Sequence, residues 1–135
     1  MLHSVPEISE QSGNDPLMRM RAYSLARELL EVVWQDAKEL ETNQLATRIS
    51  GQLYAAVGSI AANLGEGYSR SSGKDRSRIF EYALGSVRES MTWYHAAKPV
   101  LGETVRERLN KLEEIRRLLL AIIPREREKL IRPKH

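Results

Sequence analysis

Ile49-Ser50-Gly51-Gln52-Leu53-Tyr54-Ala55-Ala56-Val57-Gly58-Ser59-Ile60-Ala61-Ala62-Asn63-Leu64-Gly65 runs without one charged side chain. Ile49, Leu53, Ala56, Ile60 and Leu64 recur at spacings of three and four, the period of one helix face. A bundle helix normally carries charge on its outer face, and one uncharged all round is usually buried all round. The stretch is not a membrane span, because it is short and holds Gln52, Tyr54, Ser59, Asn63 and three glycines. Three neighbouring helices cannot wrap a fourth completely. The remaining side of this helix is therefore expected to meet another subunit.

On either side the chain repeats the helical pattern. Asp15-Pro16 is a helix start, since Asp can cap free N–H groups and Pro presets φ. Ala22, Ala26, Leu29, Val33, Ala37 and Leu40 then mark the inner line of a first helix, with Thr42-Asn43-Gln44 as its connector. The second helix is expected to end near Gly65, where Gly65, Gly67 and Gly73 release the chain from helical φ. Ser72, with Asp75 three residues on, suits a cap for the third helix. Phe80, Leu84, Val87, Met91 and Tyr94 form that helix's stripe to about Lys98, and Leu101-Gly102 follows as a turn. A fourth helix takes Val105, Leu109, Leu112, Ile115, Leu119 and Ile122 inward until Pro124 stops or kinks it. Four such segments on short connectors predict an all-α fold, an antiparallel up-down-up-down four-helix bundle. The expected organisation is a disordered leader over 1–14, the bundle over 15–123 and a basic C-terminal tail over 124–135.

The 135 residues suit one domain with one core. Without cysteine, neither a disulfide framework nor a thiolate metal site can form. The first residues carry Pro6, Glu7 and Glu10 where a signal peptide needs an apolar run, so the expected compartment is the cytoplasm. Net charge is +3, unevenly spread. Residues 1–67 hold 5 basic and 9 acidic side chains, whereas 68–78 hold 4 and 1, and 124–135 hold 5 and 2. The positive excess therefore sits in the connector before the third helix and in the C-terminal tail.

Arg70, Lys74, Arg76 and Arg78 are interleaved with serines around that connector. Loop amides, hydroxyls and arginine suit phosphate, and Tyr68 suits an unpaired base. Arg125, Arg127, Lys129, Arg132 and Lys134 extend the basic set. Asn63 and Glu66, one turn apart, and Ser86 and Glu89, also one turn apart, can face each other across the hairpin, joined by Arg70 and Arg88. They form either a polar pocket or a hydrogen-bonded knot that fixes the hairpin, and the need of buried polar groups for partners favours the knot. Helical Gly51, Gly58 and Gly65, with Gly85 in the third helix, predict close backbone approach.

Catalytic templates do not fit. His95 is the one histidine inside a helix, and no Glu-x-x-His pair for a di-iron site exists. Gly73-Lys74 resembles the end of a phosphate-binding loop, but Tyr68 stands at its first glycine and Asp75 at its Ser/Thr. No enzyme activity, metal or cofactor is expected.

Ser59-Ile60-Ala61-Ala62-Asn63-Leu64-Gly65-Glu66-Gly67-Tyr68-Ser69-Arg70, followed by Phe80, Ala83, Gly85-Ser86 and Glu89, closely resembles the four-helix-bundle family of 23S rRNA intervening-sequence proteins. Members carry Ser-Ile-x-x-Asn-x-x-Glu-Gly, an Arg-x-Ser loop and a Gly-Ser-x-x-Glu helix. The likeness covers about residues 17–123, with Leu64-Gly65 replacing the more usual Ile-Ala. It implies a bacterial bundle assembled as a homopentameric ring. The family is similar to accessory proteins of diversity-generating retroelements, pentamers that bind nucleic acid and a reverse transcriptase. The expectation is a homo-oligomeric, non-catalytic accessory protein that binds RNA or DNA through the basic loop and tail. A protein–protein scaffold is the alternative, and no membrane association is expected.

Overall fold

A computed structural model describes residues 15–129, which form four α-helices and one 3₁₀ turn and, within that range, no strand. Expectations for the leader 1–14 and for Arg132 and Lys134 lie outside the described residues. Helix α1 spans Arg21–Glu41, α2 Thr47–Tyr68, α3 Gly73–Leu101 and α4 Thr104–Arg127. Each helix packs on its successor, and α1 also packs on α4 and α3. The architecture is all-α with four helices, consistent with a four-helix bundle.

The inner lines carry the packing. Leu29, Leu53, Ile60, Leu64, Phe80, Tyr94, Leu112, Ile115 and Leu119 are fully buried and belong to one core. Truncating any of the leucines to Ala would cost about 2–5 kcal/mol, because a packed interior closes only partly around the void. Leu109 and Met91 are only partly buried, and Ile123 takes the inner position expected of Ile122. Asp15 does cap, with its Oδ1 accepting from the Leu17 N–H at 3.0 Å. What it caps is the 3₁₀ turn Pro16–Arg19, and the first α-helix begins only at Arg21.

Three helix ends differ from expectation. Helix α2 continues through Gly65 and Gly67 to Tyr68, and neither glycine has a positive φ. Gly67 serves packing instead: a Cβ there would stand 2.7 Å from the Phe80 ring. At Gly102, φ is +60°, and this glycine ends α3 at Leu101, three residues beyond the expected Lys98. Helix α4 passes through Pro124 to Arg127, so the segment from 124 begins as helix and not as tail. The proline ring faces solvent, and the carbonyl it deprives of a partner belongs to Leu120, which is itself exposed. The cost of that lost hydrogen bond is thereby lowered by hydration.

One buried polar constellation carried no sequence signal. Asp36 on α1 accepts from Tyr94 Oη at 2.6 Å and from Arg108 Nε at 2.8 Å. A third bond runs from Arg108 Nη2 to the other carboxylate oxygen at 3.2 Å. It ties α1, α3 and α4 together inside the core. Burial, with the Asp36 hydrogen bond adding to it, pushes the Tyr94 phenol far above its ordinary value.

Candidate nucleic-acid interface

The start of α3 and the end of α4 meet at one end of the protein. Ser72 caps α3, its Oγ accepting from the Asp75 N–H at 3.1 Å, in agreement with the sequence reading. Gly73 then lies against the last turn of α4: a Cβ on it would overlap the Glu126 carbonyl oxygen and crowd Lys129. Only glycine lets the two backbones come so near. The contact brings the basic connector and the basic C-terminal segment, 50 positions apart, onto one surface.

A buried ion pair bolts the two segments together. Arg76 Nε donates to Glu126 Oε1 at 2.5 Å, and Arg76 Nη1 donates to the Arg70 carbonyl at 2.9 Å. Lys129 Nζ reaches the other carboxylate oxygen of Glu126 at 2.6 Å. Burial alone would push the Glu126 carboxyl up, but hydrogen bonds from Lys129 and Arg76 outweigh it and hold it below the usual range. Arg76 therefore departs from expectation. Its side chain is 2% exposed and cannot lie along a nucleic-acid backbone.

The other basic residues of this end are exposed. Arg70 pairs loosely with Glu66 at 3.8 Å, and Arg127 pairs with Glu81 at 2.7 Å. Arg78 lies 3.6 Å from Asp75, donates to Tyr82 Oη at 3.2 Å and stands over the Tyr82 ring. Arg125 donates to the Ala121 carbonyl at 3.2 Å. Lys74 and Arg125 have no carboxylate partner among the described residues. Exposed pairs contribute about 0–1 kcal/mol each, so a phosphate can replace the carboxylate at little cost.

Asn63, Glu66, Ser86 and Glu89 are not joined to one another by any hydrogen bond among the described residues. Glu66 faces Arg70, Ser86 accepts from Ser90 Oγ through its carbonyl, and Glu89 accepts from Trp93 Nε1 at 3.3 Å. The reason is register. Gly67 stands opposite Ile79 and Phe80, which sets Glu66 and Glu89 more than two helical turns apart. Glu66, Glu89 and Arg88 are exposed, while Asn63 and Ser86 are half-buried. The expected knot is therefore absent among the described residues; Gly67 packs α2 on Phe80 of α3, and Gly73 packs α3 on Glu126 of α4.

On the outer side of α2, Gly51, Gln52, Ala55 and Ala62 are exposed and uncharged. Trp34 and Tyr54 extend this face, meeting edge to face at 5.7 Å and remaining 53% and 42% exposed. Among the described residues a Cβ on Gly51 or Gly85 would meet nothing within 4 Å, so neither glycine has there the close neighbour that its helical position predicts. Among the described residues no His, Cys, Asp or Glu cluster could hold a metal, and no helix is long and apolar enough to cross a membrane.

No curated protein and no solved structure matches the chain. A family model does, over residues 18–121, which takes in α1 to α3 and most of α4. That match, the four helices, and the Asn63–Arg70 and Gly85–Glu89 segments agree: the chain belongs to the 23S rRNA-intervening sequence protein family.

Proposed function

We propose that this chain is a non-catalytic, self-associating cytoplasmic protein that binds RNA or DNA through the end where α3 begins and α4 finishes. The observation that carries the reading is the convergence of two basic segments at Gly73 and Glu126. Apart they are weak patches. Together they form a cationic surface of Arg70, Lys74, Arg78, Arg125, Arg127 and Lys129, suited to phosphate and sensitive to salt.

Self-association is supported by the uncharged outer face of α2. Glycine in a helix costs about 1 kcal/mol relative to alanine, and nothing among the described residues offsets this at Gly51. A second copy packed there would. With the helices in up-down-up-down order, the proposed assembly is a ring of five, in which each subunit repeats the basic end and weak contacts become avid.

The test is fluorescence anisotropy with single-stranded RNA and duplex DNA across a salt series. A variant carrying Lys74→Ala, Arg78→Ala and Arg125→Ala, with Arg76 kept because it is structural, should bind more weakly and with a shallower salt slope. Unchanged affinity would remove this end from the reading. A stoichiometric protein partner with no nucleic acid held at physiological salt would favour a scaffold in its place, for which a reverse transcriptase is one candidate.

A further inference from the structure

Tyr82 is 51% exposed on the outer side of α3. A single exposed aromatic is ordinary, and it is the neighbours of this one that give it meaning. Lys74, Arg78 and Tyr82 follow one another at four-residue spacing, so all three lie on one exposed strip of the helix. The strip runs out of the cationic surface, and Arg127 of α4 joins it by donating to Glu81 at 2.7 Å. With Asp75 included, Lys74, Arg78 and Arg127 stand against two acids, and a net positive charge remains.

The ring is held on one side only. A helical side chain leans toward the N-terminus, which brings Tyr82 to Arg78. Arg78 Nη1 donates to Tyr82 Oη at 3.2 Å, and the guanidinium carbon lies 5.8 Å from the ring centroid. One turn further along α3 stand Gly85, without a side chain, and the half-buried Ser86. A Cβ on Gly85 would meet nothing within 4 Å among the described residues, so this side of the ring is open.

An open aromatic ring beside cations suits unpaired nucleotides, because a base can stack on the ring while its phosphates meet the cations. A duplex keeps its base faces within its own stack and offers such a ring only backbone and groove. Tyr68, the aromatic expected in this role, is half-buried at the end of α2. We propose that Tyr82 is the stacking platform for an unpaired base, and that the partner is single-stranded nucleic acid with its phosphates on Lys74, Arg78 and Arg127. The proposal rests on the nucleic-acid reading above and narrows it to one strand form.

Fluorescence anisotropy on the full chain tests it with single-stranded oligoadenylate, a fully paired RNA duplex and an abasic strand. Tyr82→Ala should weaken oligoadenylate at least about fivefold, the lower end of the range for losing one stacked base. The duplex, the abasic strand and the salt slope should not change. Tyr82→Phe, which keeps the ring, should bind oligoadenylate like the parent. Gly85→Leu, which fills the open side, should weaken oligoadenylate in the same selective way. Equal losses for oligoadenylate and the abasic strand, or no loss in Tyr82→Ala, overturn the proposal. A smaller Tyr82→Ala particle by light scattering also overturns it, by making the residue a contact between copies. If Tyr82→Ala is silent while the Lys74, Arg78 and Arg125 triple variant loses all three probes, the platform falls and the nucleic-acid reading stands. If the parent binds none of the probes, both fall.

Discussion

Gly73 lies directly against the carbonyl oxygen of Glu126, and no side chain larger than hydrogen fits between them. Gly73→Ala should therefore destabilise the protein by about 1–3 kcal/mol, because the obstacle is backbone and cannot swing aside. Gly85→Ala is the control. Its Cβ would meet nothing within 4 Å among the described residues, and removing a helical glycine should add up to about 1 kcal/mol. Calorimetric melting of both variants measures the contrast, and a Gly73→Ala protein that melts like the parent would contradict the contact.

Glu126→Gln should cost about 3–5 kcal/mol, the usual penalty for stranding one partner of a buried ion pair. The pair also sets an acid response. The folded carboxyl is held below its ordinary 4.5, so its stabilisation is complete above that value and is lost as pH falls below it. Urea midpoints of parent and Glu126→Gln should thus converge on acidification. A gap that stays constant down to the acid limit would show that Glu126 is not held in its charged form.

Tyr94→Phe should cost about 1.5–3 kcal/mol, since it removes a hydrogen bond to a buried carboxylate that Arg108 alone then satisfies. The phenol's folded value is raised, so its contribution is present below the unfolded value of 10.0 and declines as pH rises past it. Ultraviolet titration should find one tyrosine that ionises only as the protein unfolds. The Tyr94→Phe variant should lack that step and lose less stability in alkali.

Ala55→Glu places a charge on the bare face of α2 while leaving the core untouched. Unfolding free energy of the separated chain should change by no more than about 0.5 kcal/mol, the usual range for an exposed position. Light scattering should meanwhile report a smaller particle than the parent. Equal masses for both proteins would remove this face from the association.

Much of the fold was legible because helices declare themselves through periodicity. Leu29, Leu53, Phe80 and Leu112 are buried where a three-and-four spacing puts them. Helix ends were less legible. Gly65 and Gly67 carry a stop signal, yet the helix runs through both and packs Gly67 on Phe80, and Pro124 is tolerated because its lost bond falls on the wet side. The candidate site was half legible. Charge counting located the basic segments, but a sequence does not show that Arg76 will turn inward to Glu126 or that Asp36 will find both Tyr94 and Arg108. Such pairings join residues 50 to 72 positions apart and leave no periodic trace.

The clasp between Gly73, Arg76 and Glu126 also bears on how the molecule breathes. The terminal turn of a C-terminal helix ordinarily frays, and its amides exchange with solvent at almost no energetic cost. Here the last turn of α4 cannot unwind without stranding Arg76 in the interior and uncovering the first turn of α3. Opening at this end is thereby coupled to the core, so exchange protection should extend to the amides of residues 125–129. A ligand gripping the cationic surface would then act on the cooperative unit as a whole and not on a loose end of the chain.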